Sequence, residues 1–174
     1  MRKYSTRDLS LAAVVAALYT VLGYFGNIFG LNFGMFQCRF AEALCVLPFF
    51  FPATAPGLFV GCFLTNLLSP YGAIDLCVGS LATLLAAYTT RNMPSRWLAP
   101  LPPVLFNGLL VGAMLAWYEV GFGPAFAGAF AVNGLWVALG EAVACYGLGT
   151  LLLTLLPKIR LFRRLMPEHR ASSC

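Results

Sequence analysis

Apolar runs fill the chain from Leu9 to Leu156, cut at intervals by prolines, glycines and short basic stretches. An α-helix needs about 20 apolar residues to cross the hydrocarbon of a bilayer, and this punctuation divides the runs into six segments. The first runs from about Asp8 to Phe25 and leads into a Gly- and Asn-containing loop, Gly26 to Phe36. The second, about Arg39 to Phe51, is short and stops at Pro52-Ala-Thr-Ala-Pro56. The third, about Gly57 to Leu68, turns at Ser69-Pro-Tyr-Gly72 into the fourth, about Ile74 to Thr90. The polar stretch Arg91 to Arg96 precedes a fifth, about Leu98 to Tyr118, and the sixth, about Phe126 to Leu156, is long enough to hold a break or tilt. The short second and third segments are expected to pack inside the bundle or to meet a funnel of water.

Composition agrees with the pattern. Of 174 residues 60% are hydrophobic and 10% charged, against about 25% charged in an average soluble domain, so the fold class is an all-α integral membrane protein with six transmembrane helices. Residues 1–157 form one expected membrane domain and residues 158–174 a basic tail. Charge then sets the orientation. With both termini in the cytoplasm, Arg2, Lys3, Arg7, Arg91, Arg96, Lys158, Arg160, Arg163, Arg164 and Arg170 all lie inside and only Arg39 outside, as the positive-inside rule requires of a multi-pass plasma-membrane protein. The tail, with Leu161 and Phe162 among its basic residues, reads as an anchor on anionic membrane lipid and not as a nucleic-acid-binding arm. The six cysteines form no C-x-x-C pair, and buried structural thiols are expected.

Small residues mark helix contacts, since helices in lipid associate through close packing. Gly57-x-x-x-Gly61 and Gly108-x-x-x-Gly112 fit internal seams, while Ala12 and Ala16, shadowed by Ala13 and Ala17, fit either an internal seam or a partner surface. Polar residues in the apolar runs mark a site, because charge at mid-membrane is costly and persists where it meets a cavity, a partner or a ligand. Gln37, Arg39, Glu42, Asn66, Asp75, Tyr118 and Glu119 gather toward the outer half, Asn107 and Asn133 add neutral hydrogen-bonding groups, Trp136 adds a flat apolar face, and Glu141 falls well inside the sixth segment. Arg39 and Glu42, three residues apart, are placed to pair. No G-x-x-x-x-G-K-[ST] loop, H-E-x-x-H motif or bundle histidine occurs, so neither ATP hydrolysis nor metal catalysis has its usual residues and no cofactor is implied.

The run Gln37-Cys-Arg-Phe-Ala-Glu-Ala-Leu44, followed by Leu47-Pro-Phe-Phe50, Pro56-Gly-Leu-Phe-Val-Gly61, Asn66-Leu-Leu68, Asp75, Gly79-Ser-Leu-Ala-Thr-Leu84 and Ala99-Pro-Leu-Pro-Pro-Val104, resembles the QueT family. The likeness extends over about residues 5 to 157 and is most specific in the Q-x-R-x-x-E-A-L block. It implies a substrate-binding S component of an energy-coupling factor (ECF) transporter, taking up queuosine precursors with a transmembrane T component and two ATPase subunits. It also implies that Ala12 and Ala16 meet the T component. The expected ligand is a 7-deazaguanine, such as the 7-cyano or 7-aminomethyl compound, or queuine. A carboxylate, Glu42 or Glu141, suits the N1–H and exocyclic amine as a bidentate acceptor. Asn66, Asn107 or Gln37 suits the ring oxygen, Trp136 suits the ring face, and Asp75 or Glu119 suits a cationic substituent. Other readings remain open at this point: an S component for another vitamin, a membrane enzyme using Glu141 and Asp75 as acid and base, or an assembly protein whose carboxylates cap helices.

Overall fold

A computed structural model describes residues 5–30 and 39–166, and every element among them is helical. Helix α1 (Thr6–Ile28) is followed by a 3-10 helix, Phe40–Phe49, and then by α2 (Ala55–Asn66), α3 (Ala73–Thr90), α4 (Leu101–Val120) and α5 (Phe126–Lys158). A short helix, α6 (Arg160–Leu165), ends the described chain. Four helices, α1, α3, α4 and α5, are long and apolar enough to cross a membrane. The protein is an all-helical, multi-pass membrane bundle of six helices with α6 as an appendage.

The start of α1 is fixed by Ser5, whose backbone N–H donates to Asp8 Oδ2 at 3.0 Å in a reciprocal capping box. The helix continues through Ile28, so residues 26–28, expected in a loop, extend the helix, and the rest of that expected loop up to residue 36 falls largely outside the described residues. Helix α1 packs on α2 through backbone contact. A Cβ on Gly57 would stand 2.1 Å from the Ala12 carbonyl oxygen, and one on Gly61 would stand 2.8 Å from that of Ala16. Farther along, a Cβ on Gly23 would meet the Thr65 side chain. Ascending positions in α1 thus match ascending positions in α2, and the two helices run parallel. The chain must therefore return across the bundle between them, and the 3-10 helix makes that return.

Ten residues is a long 3-10 run. At about 2.0 Å of rise per residue against 1.5 Å for an α-helix, it reaches roughly 20 Å instead of 15 Å, which explains how so short a segment crosses most of the bundle. Its tighter winding also suits a central position: every side chain from Ala41 to Phe49 is buried, and it touches α1, α2, α3 and α5. Gly149 of α5 lets it approach closely, since a Cβ there would stand 2.8 Å from Val46 Cγ1. The expected short, internal second segment is this helix.

The third and fourth segments meet at a turn closed by Gly72, at φ +64°, a conformation suited to glycine. Helices α4 and α5 are antiparallel, with Gly112 facing Gly134 and Gly108 facing Ala138. Each contains a π-helical stretch, Asn107–Val111 in α4 and Val143–Gly149 in α5, the latter in the segment expected to break or tilt. The tail does not stand wholly apart from the bundle: the Phe162 ring lies 6.2 Å from that of Phe51, and Met166 is buried with the main apolar core.

Candidate functional site

Two kinds of buried polar group meet between the helices. The first kind is satisfied. Glu42, wholly buried on the central 3-10 helix, accepts from the Tyr19 hydroxyl of α1, from Thr83 Oγ1 of α3 at 2.9 Å and from Cys45 Sγ at 2.9 Å. An ionised carboxylate offers about four lone-pair sites, and protein donors take three of them. Arg39 is just as buried, yet its guanidinium donates to Asn66 Oδ1 at 2.8 Å and approaches Cys62 Sγ at 3.7 Å. The expected Arg39–Glu42 ion pair is therefore replaced by bonds that tie each residue to a different neighbouring helix.

Asn66 passes this chain onward. Its Nδ2 donates to the Asp75 carbonyl at 3.2 Å, and Ser69 Oγ donates to Asp75 Oδ2 at 2.6 Å while accepting from the Tyr71 backbone N–H at 3.2 Å. Gly79 makes room for this arrangement, because a Cβ there would stand 2.6 Å from Asn66 Nδ2 and 2.9 Å from Asp75 Oδ1. Tyr71, in the turn between α2 and α3, rests edge-on against Tyr118 with ring centroids 5.1 Å apart. Burial first, then the Asp75 carboxylate, holds the Tyr71 hydroxyl above its ordinary range, so it keeps its proton.

The second kind is unsatisfied. Asp75 Oδ1, Ser80 Oγ, Glu141 Oε1 and both amide atoms of Asn107 are buried with no hydrogen-bond partner among the described residues. Each such group costs about 1–3 kcal/mol unless something bonds it. The register that sets Gly112 on Gly134 and Gly108 on Ala138 holds α4 and α5 together along the segments that carry Asn107 and Glu141. Cys145 joins Glu141 to the central helix: its Sγ lies 3.9 Å from Glu141 Oε2 and 3.4 Å from the Glu42 carbonyl oxygen. Asn107 opens one π stretch and Glu141 stands two residues before the other, and such local widening is frequent at functional sites.

The structure thus brings together Arg39, Glu42, Asn66, Asp75 and Glu141, and it buries Asn107 at the start of the π stretch of α4. Gln37 lies outside the described residues. Trp136 is 41% exposed and stands five residues from Glu141, about 140° away around the helix. Glu119, expected in a loop, belongs to the last turn of α4 and accepts from Asn133 Nδ2 at 2.9 Å. Ala12 and Ala16, expected to meet a partner, are buried under Gly57 and Gly61, and their exposed neighbours Ala13 and Ala17 form the outer strip of α1.

A family model described as "QueT transporter" matches residues 9–158. The chain belongs to the QueT transporter family. The "Queuosine precursor transporter QueT" of Lactococcus lactis subsp. cremoris (strain MG1363) is 34% identical over 85 residues, 49% of this chain and 50% of that relative. The match therefore spans about half the length of the curated relative. No solved structure matches.

Within this QueT-family bundle, sequence reasoning missed Tyr19, Cys45, Cys62, Ser69, Ser80 and Thr83. The cysteines read as buried structural thiols, and Cys45, Cys62 and Cys145 are indeed buried, while Cys77 is exposed. Thr83 carried one available signal: Asp75, Gly79 and Thr83 recur every four residues, which sets them on the face of α3 turned to the bundle, with Ser80 three residues before Thr83 beside them.

Proposed function

We propose that this QueT-family protein is the substrate-binding S component of an ECF-type transporter and captures a 7-deazaguanine queuosine precursor from outside the cell. The observation that carries this reading is the set of buried polar atoms on three helices that have no hydrogen-bond partner among the described residues: Asp75 Oδ1 and Ser80 Oγ of α3, the Asn107 amide of α4 and Glu141 Oε1 of α5. Asn107 supplies two donors and an acceptor, and Glu141 supplies an acceptor, which complements the carbonyl and N–H groups along a guanine-type edge. Glu42 positions the central helix, its oxygens being taken by Tyr19, Thr83 and Cys45.

The distribution of basic residues favours cytoplasmic termini by the positive-inside rule, which turns the Arg39–Asn66–Asp75 end outward. The exposed strip of α1 around Ala13 and Ala17 docks the T component, and two ATPase subunits supply the energy for which this sequence has no phosphate-binding loop. The protein itself acts by binding and not by catalysis.

Calorimetry on the purified protein with individual 7-deazaguanines, guanine and a panel of vitamins tests the reading. Saturable binding of a deazaguanine, unaffected by the vitamins, is expected. Failure of every deazaguanine to bind, or displacement by a chemically unrelated vitamin, overturns the substrate assignment.

A further inference from the structure

Among the described residues the thiols of Cys45, Cys62 and Cys145 are buried in the bundle, and their neighbours differ. Cys45 donates to Glu42 Oε2 at 2.9 Å, adding to a carboxylate that Tyr19 and Thr83 also serve. Cys62 Sγ is met by donors, Asn66 Nδ2 at 3.5 Å and Thr83 Oγ1 at 3.3 Å. Cys145 Sγ instead lies 3.9 Å from Oε2 of Glu141, the carboxyl whose Oε1 has no hydrogen-bond partner among the described residues.

Glu141, Cys145 and Gly149 recur every four residues along α5. The last two meet the central 3-10 helix at successive carbonyls. Cys145 Sγ lies 3.4 Å from the Glu42 carbonyl oxygen, and a Cβ on Gly149 would stand 3.3 Å from that of Ala43. One contact is polar and the other steric, and together they seat α5 against the central helix. A thiol has one hydrogen and donates weakly, yet this one faces two acceptors. The nearer is a backbone carbonyl fixed in a helix, and the farther is an oxygen on a side chain free to turn. The thiol is thereby anchored on the central helix and steers Oε2 toward it, which leaves Oε1 as the oxygen for an incoming donor. A weak donor orients the carboxylate without spending the acceptor strength that a ligand needs, and holding a site group in place in advance lowers the entropy lost on binding.

We infer that Cys145 is a positioning residue of the ligand site: it orients the Glu141 carboxylate so that Oε1 is presented to the ligand, and it ties that carboxylate to the backbone of the central helix. This inference rests on the reading of Glu141 as a ligand acceptor and adds the residue that aims it.

The test uses the full chain in nanodiscs, with 7-aminomethyl-7-deazaguanine and the 7-cyano compound as ligands. Infrared difference spectra of the wild-type protein, with and without saturating ligand, read the S–H stretching band. That band is expected to shift, because a ligand on Oε1 changes the charge that the thiol faces on Oε2, and the shift is expected to be absent from Cys145→Ala. By calorimetry, Cys145→Ala is expected to weaken binding about five- to tenfold. With Glu141→Gln already in place the same substitution is expected to cost less than about twofold, since the charge it orients is gone. A wild-type S–H band unmoved by bound ligand overturns the inference while leaving the transport reading intact, and needs no variant to fold. A shift that persists in Cys145→Ala belongs to another thiol and overturns it too. Equal weakening by Cys145→Ala in both backgrounds does the same, for that marks a packing residue. Binding of neither ligand overturns the transport reading and this inference together.

Discussion

Glu42 and Glu141 are both fully buried carboxyl groups joined through Cys145, yet their surroundings are opposite. Glu42 belongs to the half built from α1, the 3-10 helix and α2, where glycines bring backbones into contact and the main polar side chains, Tyr19, Arg39, Thr65 and Asn66, hold protein partners. Glu141 belongs to the half built from α4 and α5, where each helix widens into a π stretch and Asn107 and Glu141 keep atoms with no partner among the described residues. The same functional group therefore does two jobs. A satisfied buried network specifies one packing arrangement, whereas an incompletely satisfied one lowers stability and keeps binding capacity in reserve.

The largest expected effect probes the closed half. Gly57→Ala inserts a Cβ 2.1 Å from the Ala12 carbonyl oxygen, and backbone cannot move aside as a flexible side chain can. A stability loss of about 3 kcal/mol, read as a collapse in thermal midpoint or in monodisperse yield, is expected. Gly128→Ala, where nothing lies within 4 Å of the new Cβ, should instead be neutral or stabilising by up to about 1 kcal/mol. Next comes Glu141→Gln, expected to weaken deazaguanine binding about 30-fold, the worth of one charged hydrogen bond, with the melting temperature retained. Glu42→Gln should do the reverse, costing about 1.5 kcal/mol of stability while shifting Kd less than about threefold at saturating folding conditions. Equal loss of binding in both glutamine variants would break the division between the halves. The smallest effect is expected at Trp136→Ala, on the part-exposed face of α5; a change in Kd under about twofold checks it by the same calorimetry.

Much of this architecture was legible because lipid makes its demands in one dimension. Pro52, Pro56, Gly72 and the basic stretch from Arg91 to Arg96 punctuate the apolar runs, and the observed helices start and stop near them. Asp75, Asn107 and Glu141 also stood out, since any polar group in an apolar run calls for a reason. Two things were not legible. The winding of Phe40–Phe49 as a 3-10 helix is set by its position among α1, α2, α3 and α5, which no local propensity encodes. The direction of the α1 strip was equally hidden, because Ala12 and Ala13 are identical to a one-dimensional reading and differ only in which of them meets Gly57. Arg39 and Glu42 had the spacing of a pair, but Asn66 and Tyr19 offered each a better-placed partner from another helix.

The central 3-10 helix bears on how the molecule is made. From Ala41 to Phe49 it has no side chain turned to lipid, and Glu42 lies within it. A segment of that kind has no lipid-facing surface to retain it in a bilayer on its own. Its insertion is therefore coupled to that of α1, whose Tyr19 caps the Glu42 carboxyl, and of α2, joined to it through only Pro52–Thr54 and its flanking residues. Biogenesis of this bundle is a cooperative event among the first three helices, and a lesion at the Gly57 seam should appear first as a failure of membrane integration.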